Sequence, residues 1–92
     1  MRTFEDLHRL IDRDRLVERT VELIGIPSVN PFGGPMVDST GEGAVVRWLA
    51  DHLDRLGFDP VVTEPEPGRP NVVGFGPGGD GPVLALAGHT DT

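Results

Sequence analysis

The residues that most restrict the fold are Val83 to Thr92, VLALAGHTDT. Five apolar residues, Val83, Leu84, Ala85, Leu86 and Ala87, run without a polar interruption, and Gly88 ends the run. An unbroken apolar run bounded by turn residues suits a strand covered on both faces, as in the middle of a parallel α/β sheet. In open α/β sheets, ligands and reacting groups gather just past the carboxyl ends of such strands. His89 and Asp91 arrive there together, two residues apart. The expectation is a scaffold that holds this strand and presents that pair.

The residues upstream supply the scaffold. From Phe4 to Ile24 apolar residues recur at helical spacing: Phe4, Leu7, Leu10 and Ile11, then Leu16, Val17, Val21 and Ile24. The register slips near Asp12 to Asp14, which predicts two helices with Asp12 as N-cap of the second. Pro27 pushes Ile26 out of the α region and stops that helix. Gly25 to Ser39 is irregular and reads as a surface connection. Ser39 and Glu42 stand in capping-box spacing before a further helix, whose apolar face is Val45, Trp48, Leu49, His52, Leu53 and Leu56, with Gly57 as its stop. His52 has no acidic or histidine partner in step with it and reads as a packing residue; Trp48 reads as a core anchor. Phe58–Thr63 and Asn71–Phe75 are β-prone and are joined by the turn-rich EPEPGRP. Gly76–Pro82, GPGGDGP, then suggests a hairpin from Asn71–Phe75 to Val83–Ala87.

Charge narrows the partners. The net charge is −7, and all 8 basic residues are arginine. Such a surface argues against nucleic acid, which attracts basic patches. The absence of cysteine removes disulfides and thiolate metal sites. The N-terminal residues carry acids where a secretory signal needs an apolar core, and no apolar run approaches the ~18 residues of a membrane span. A cytoplasmic protein is the expectation, with no membrane partner.

At the corner, an imidazole can ligate a metal ion, and a nearby carboxylate can take the other ring N–H, fixing the tautomer. His89 and Asp91 suit those two roles, although one histidine and one aspartate do not complete a metal site. No serine–histidine arrangement, phosphate-binding P-loop or GxGxxG is present. The glycines of GPGGDGP precede a strand and not a helix, which argues against a phosphate cradle. His8, His52 and His89 share no spacing that builds one site.

GHTDT after an apolar strand resembles the first metal motif of the zinc-dependent aminoacylase and carboxypeptidase family, of the acetylornithine deacetylase and succinyl-diaminopimelate desuccinylase type. LIGIPSVNP (Leu23 to Pro31), STGEGAVVRWLADHLDRLGFD (Ser39 to Asp59) and GRPNVVGFG (Gly68 to Gly76) resemble the segments that precede it in those enzymes, in the same order. The resemblance implies an α/β fold, a mixed β-sheet sandwiched by helices, with a smaller inserted domain that often dimerises. It also implies two metal ions, usually zinc with cobalt or manganese as substitutes, and hydrolysis of an N-acyl amino acid or peptide amide by metal-bound water. By resemblance His89 is a metal ligand, and Asp91, counted with the catalytic residues, orients it from behind. The remaining ligands and the general base of such enzymes lie beyond this motif, so residues 1–92 are expected to be a truncated N-terminal portion of the catalytic domain. That portion lacks the dimerisation domain and is inactive alone, while the parent is a homodimer. The competing expectation is a small non-catalytic module that associates through an exposed sheet edge.

Overall fold

The computed structural model describes residues 2–30 and 41–92. Three helices precede a β-hairpin: α1 Phe4–His8, α2 Arg13–Ile24, α3 Gly43–Arg55, β1 Asp59–Glu66 and β2 Arg69–Phe75. The helix break near Asp12 forms where the register slips. Asp12 caps α2 by accepting from the Arg15 N–H at 3.1 Å, and Gly25 closes the helix just before Pro27. The short α1 has its own capping box: Thr3 accepts from the Asp6 N–H, and the Asp6 carboxylate accepts from the Thr3 N–H.

β1 and β2 pair antiparallel, with Val61 opposite Val73, Val62 opposite Val72, and Glu66 opposite Arg69 across the Pro67–Gly68 turn. Gly68 has φ 79°, and the Glu64 carboxylate accepts its N–H. Proline followed by a glycine at positive φ is the signature of a tight turn. Side chains alternate along a strand, so Pro70, Val72 and Gly74 turn inward while Asn71, Val73 and Phe75 face outward. α3 packs on the inward face of both strands. The core of the described residues is small: Val45 and Val46 are its buried apolar side chains. Val46 lies off the apolar stripe expected for α3, yet is only 1% exposed, because the hairpin covers that side of the helix. On the other side Trp48 stacks on His52, 5.0 Å between ring centroids, and donates to Glu22 of α2 at 3.2 Å. His52 is therefore a packing residue, as expected, whereas Trp48 is only half-buried and bridges to α2 outside the buried core instead of anchoring it.

Three expectations are corrected. The hairpin joins β1 to β2, not Asn71–Phe75 to Val83–Ala87, because a two-residue turn closes adjacent strands more readily than a seven-residue glycine- and proline-rich loop. The Val83–Ala87 run forms no ladder, and Val83, Leu84 and Leu86 are 93%, 84% and 90% exposed. A strand covered on both faces needs neighbouring strands and two apolar layers, and among the described residues neither reaches this run. Consequently the described residues form an α/β arrangement whose sheet is the two-stranded antiparallel hairpin. Finally, Glu42 is the N-cap of α3 and makes no side-chain cap bond; its carboxylate is drawn to Arg69 instead. Ser39, the other half of the expected capping box, lies outside the described residues.

Candidate functional site

Although Val83–Ala87 is unpaired, the residues after it are held. The Thr92 N–H donates to the Ser28 carbonyl at 2.9 Å, and the Asn30 N–H donates to the Thr92 main-chain oxygen at 2.9 Å. These two bonds flank Val29 as in a parallel ladder. They clasp the chain end to the loop after α2, where Pro27 has already ended the helix. Val29 also accepts from the Gly41 N–H at 2.8 Å, which brings the start of α3 to the same place.

Asp91 sits at the centre of this clasp, its side chain 26% exposed. Its Oδ2 accepts from Asn30 Nδ2 at 2.6 Å and lies 3.9 Å from Arg69 Nη2. Its Oδ1 lies 3.1 Å from His89 Nδ1, which is also 2.9 Å from the Asp91 main-chain oxygen. Both groups facing Nδ1 are acceptors, so Nδ1 must carry the hydrogen. In the neutral ring this places the lone pair on Nε2. The imidazole is 85% exposed, and no partner for Nε2 exists among the described residues.

Hydrogen bonding around Asp91 supports its ionised form. The Asn30 hydrogen bond, the largest effect, pulls its carboxyl below the usual carboxylate value; partial desolvation opposes this, and the His89 contact adds to the lowering. Arg69 is anchored by Glu42, which is 5% exposed and accepts from Arg69 Nη2 at 3.0 Å and from Nε at 3.3 Å. Glu42 raises the Arg69 guanidinium above its already high ordinary value. Arg69 thus brings a permanent positive charge between two acids.

The structure brings together the two residues expected from the sequence, His89 and Asp91. It adds Asn30, Arg69 and Glu42, none of which the sequence marks as a site residue. Asn30 lies 61 positions from Asp91 and Glu42 lies 27 from Arg69, so no local pattern connects them. The one available signal is that Asn30 belongs to the conspicuous PSVNP loop. His8 and His52 lie elsewhere, His8 stacked near Phe4 and His52 on Trp48.

A zinc ion takes about four ligands, of which a catalytic site draws about three from protein. His89 presents one donor with its outer partner in place. Among the described residues no group of three or more histidine, aspartate or glutamate side chains is arranged to hold a metal ion. The donor set therefore fits one ligand of a metal centre and not a complete one.

No family model and no solved structure matches the chain. It is 48% identical over 52 residues to acetylornithine deacetylase of Vibrio vulnificus (strain CMCP6), a match covering 56% of this chain and 14% of the relative. It is 42% identical over 74 residues to succinyl-diaminopimelate desuccinylase of Methylorubrum extorquens (strain PA1), covering 75% of this chain and 16% of the relative. The chain thus spans about one sixth or less of the curated relatives it matches, and over that span it is similar to part of a deacetylase and part of a desuccinylase.

Proposed function

We propose that this chain is a segment of an amide hydrolase acting on small N-acyl amino acids, and that its contribution is His89 held as a metal ligand through Nε2. The observation that carries the reading is the pair of acceptors facing His89 Nδ1, the Asp91 carboxylate and the Asp91 main-chain oxygen. Together they hold the proton on Nδ1 and aim the basic nitrogen outward. An outer carboxylate of this kind also raises the basicity of the imidazole it holds. Similarity to a deacetylase and a desuccinylase supports the substrate class.

Metal ions bound in such a centre, two zinc ions or cobalt or manganese in their place, supply carbonyl polarisation and water activation. The role of this chain is narrower: Asp91 stays ionised, fixes one ring tautomer and limits rotation of the ring. The other metal donors and the general base come from residues outside the described set, so the 92 residues alone are inactive and hold zinc weakly. A non-catalytic module associating through a sheet edge is not favoured, because the similarity is to hydrolases. We place the complete protein in the cytoplasm as a homodimer.

The test is a chimera in which this chain replaces the matched segment of the Vibrio vulnificus acetylornithine deacetylase. The chimera should hydrolyse acetylornithine, and His89→Ala within it should abolish both turnover and one equivalent of tightly bound metal. Retained activity after His89→Ala refutes the assignment. Amide hydrolysis or tight stoichiometric zinc binding by the isolated chain refutes the claim that it is insufficient alone.

A further inference from the structure

We infer that Asn30 is a positioning residue for His89, acting through Asp91; this rests on the reading of His89 as a ligand prepared through Nδ1. A carboxylate on a loop end can rotate about its terminal bond and exchange its oxygens, so one oxygen must be pinned if the other is to serve a single partner. Asn30 Nδ2 pins Oδ2 at 2.6 Å, a short charge-assisted bond. The reverse orientation of the amide would set a carbonyl oxygen against a carboxylate oxygen, so the donor assignment follows from charge. With Oδ2 held, Oδ1 is left for His89 Nδ1 at 3.1 Å.

The backbone keeps this pin in register. Asn30 donates its own N–H to Thr92, the residue after Asp91, and Thr92 donates back to Ser28. Donor and acceptor therefore sit on two segments tied by main-chain bonds on either side of Val29. Arg69, 3.9 Å from the same Oδ2 and fixed by the buried Glu42, adds positive charge at that oxygen and reinforces the orientation. The path runs from Asn30 and Arg69 to Oδ2, then from Oδ1 to the ring. Neither Asn30 nor Arg69 contacts His89 in this path.

The experiment reads the His89 ring nitrogens by long-range nitrogen–proton NMR on the 92-residue chain, above the pH range where imidazole is protonated. Amide exchange at Thr92 and Asn30 is recorded in parallel as the measure of the clasp. Two variants are compared with the parent: Asn30→Asp keeps the shape but sets a second carboxylate against Asp91, and Asn30→Ser removes the reaching donor. The parent should show a pyrrole-type Nδ1 and a pyridine-type Nε2. Both variants should lose a measurable part of the Nδ1–H population while Thr92 stays protected, with the larger loss in Asn30→Asp, the remainder being held by the Asp91 main-chain oxygen.

If the parent shows Nδ1–H and both variants keep it undiminished, the inference fails and the His89–Asp91 reading stands. If the parent itself shows Nε2–H or an averaged ring, that reading fails and the inference falls with it. If Thr92 loses protection in both variants, Asn30 is a folding residue and the positioning role is overturned.

Discussion

A carboxylate that accepts from two sides is a small lever on a large consequence, and Asp91 is that residue here. Replacing it with alanine removes the side-chain one of the two acceptors that hold His89 Nδ1 and leaves the main-chain oxygen. In the chimera with the deacetylase, Asp91→Ala should weaken metal binding by about 10–100-fold, the usual range for loss of a carboxylate behind a ligating histidine, as read by chelator competition. The pH response has a definite sign. The Asp91 carboxyl is depressed in the folded chain, chiefly by Asn30, so its stabilising contribution is complete above the ordinary value of about 3.9. It is lost as pH falls through the lower folded value. Amide exchange at Thr92 should accordingly be flat from neutrality down to mildly acidic pH and accelerate, relative to an unstructured peptide, only in strong acid. Unchanged protection of Thr92 in strong acid would show that Asp91 does not support the clasp. At this scale the contact of His89 with Asp91 is legible in the sequence, since the two stand two residues apart in GHTDT. Asn30, Arg69 and Glu42 stay hidden because their relation is made by tertiary contact alone.

Among the described residues, the extensive packing between helix and sheet is that of α3 on the hairpin. Val46→Ala should destabilise that unit by roughly 1–3 kcal/mol, as expected for shortening a fully buried aliphatic side chain, measurable as a lowered urea midpoint. At Gly74 β2 runs close against α3: a β-carbon there would lie 3.0 Å from both Leu53 methyl groups. Gly74→Ala should lower the midpoint, and the loss should shrink in the Leu53→Ala background. A fully additive double-mutant cycle would refute the close approach. The break between α1 and α2 and the Asp12 cap are readable because both are written in consecutive residues. The strand segments around Phe58–Thr63 and Asn71–Phe75 are readable for the same reason. Their pairing is signalled by Pro67–Gly68 in the EPEPGRP connection, but the apolar strength of Val83–Ala87 draws attention to the wrong partner.

At the scale of the whole molecule, much apolar surface of the described residues is exposed. Phe4, Leu10, Ile11, Leu16, Val21 and Ile24 of the N-terminal helical region are all more than half exposed, as are Val83, Leu84 and Leu86. The radius of gyration is 15.8 Å, where a compact chain of this length has about 12 Å. The helical stripe and the apolar run, read from the sequence as faces for burial, stand exposed among the described residues, and the sequence carries no sign of what would bury them. The 92-residue chain should bind a hydrophobic dye and associate with rising concentration, and Leu86→Asp should reduce both. Dye binding at the level of an ordinary compact domain would refute the open arrangement. The Thr92–Ser28 bond has a further consequence in time. It joins positions 64 residues apart (92 − 28 = 64), and closing a flexible loop of that length costs about 3–4 kcal/mol in chain entropy. Contacts of such separation form late and open early relative to a local hairpin. The clasp that orders His89 and Asp91 therefore depends on α3 and the hairpin having shortened the path between its two ends, and it is expected to close late in folding and to open early.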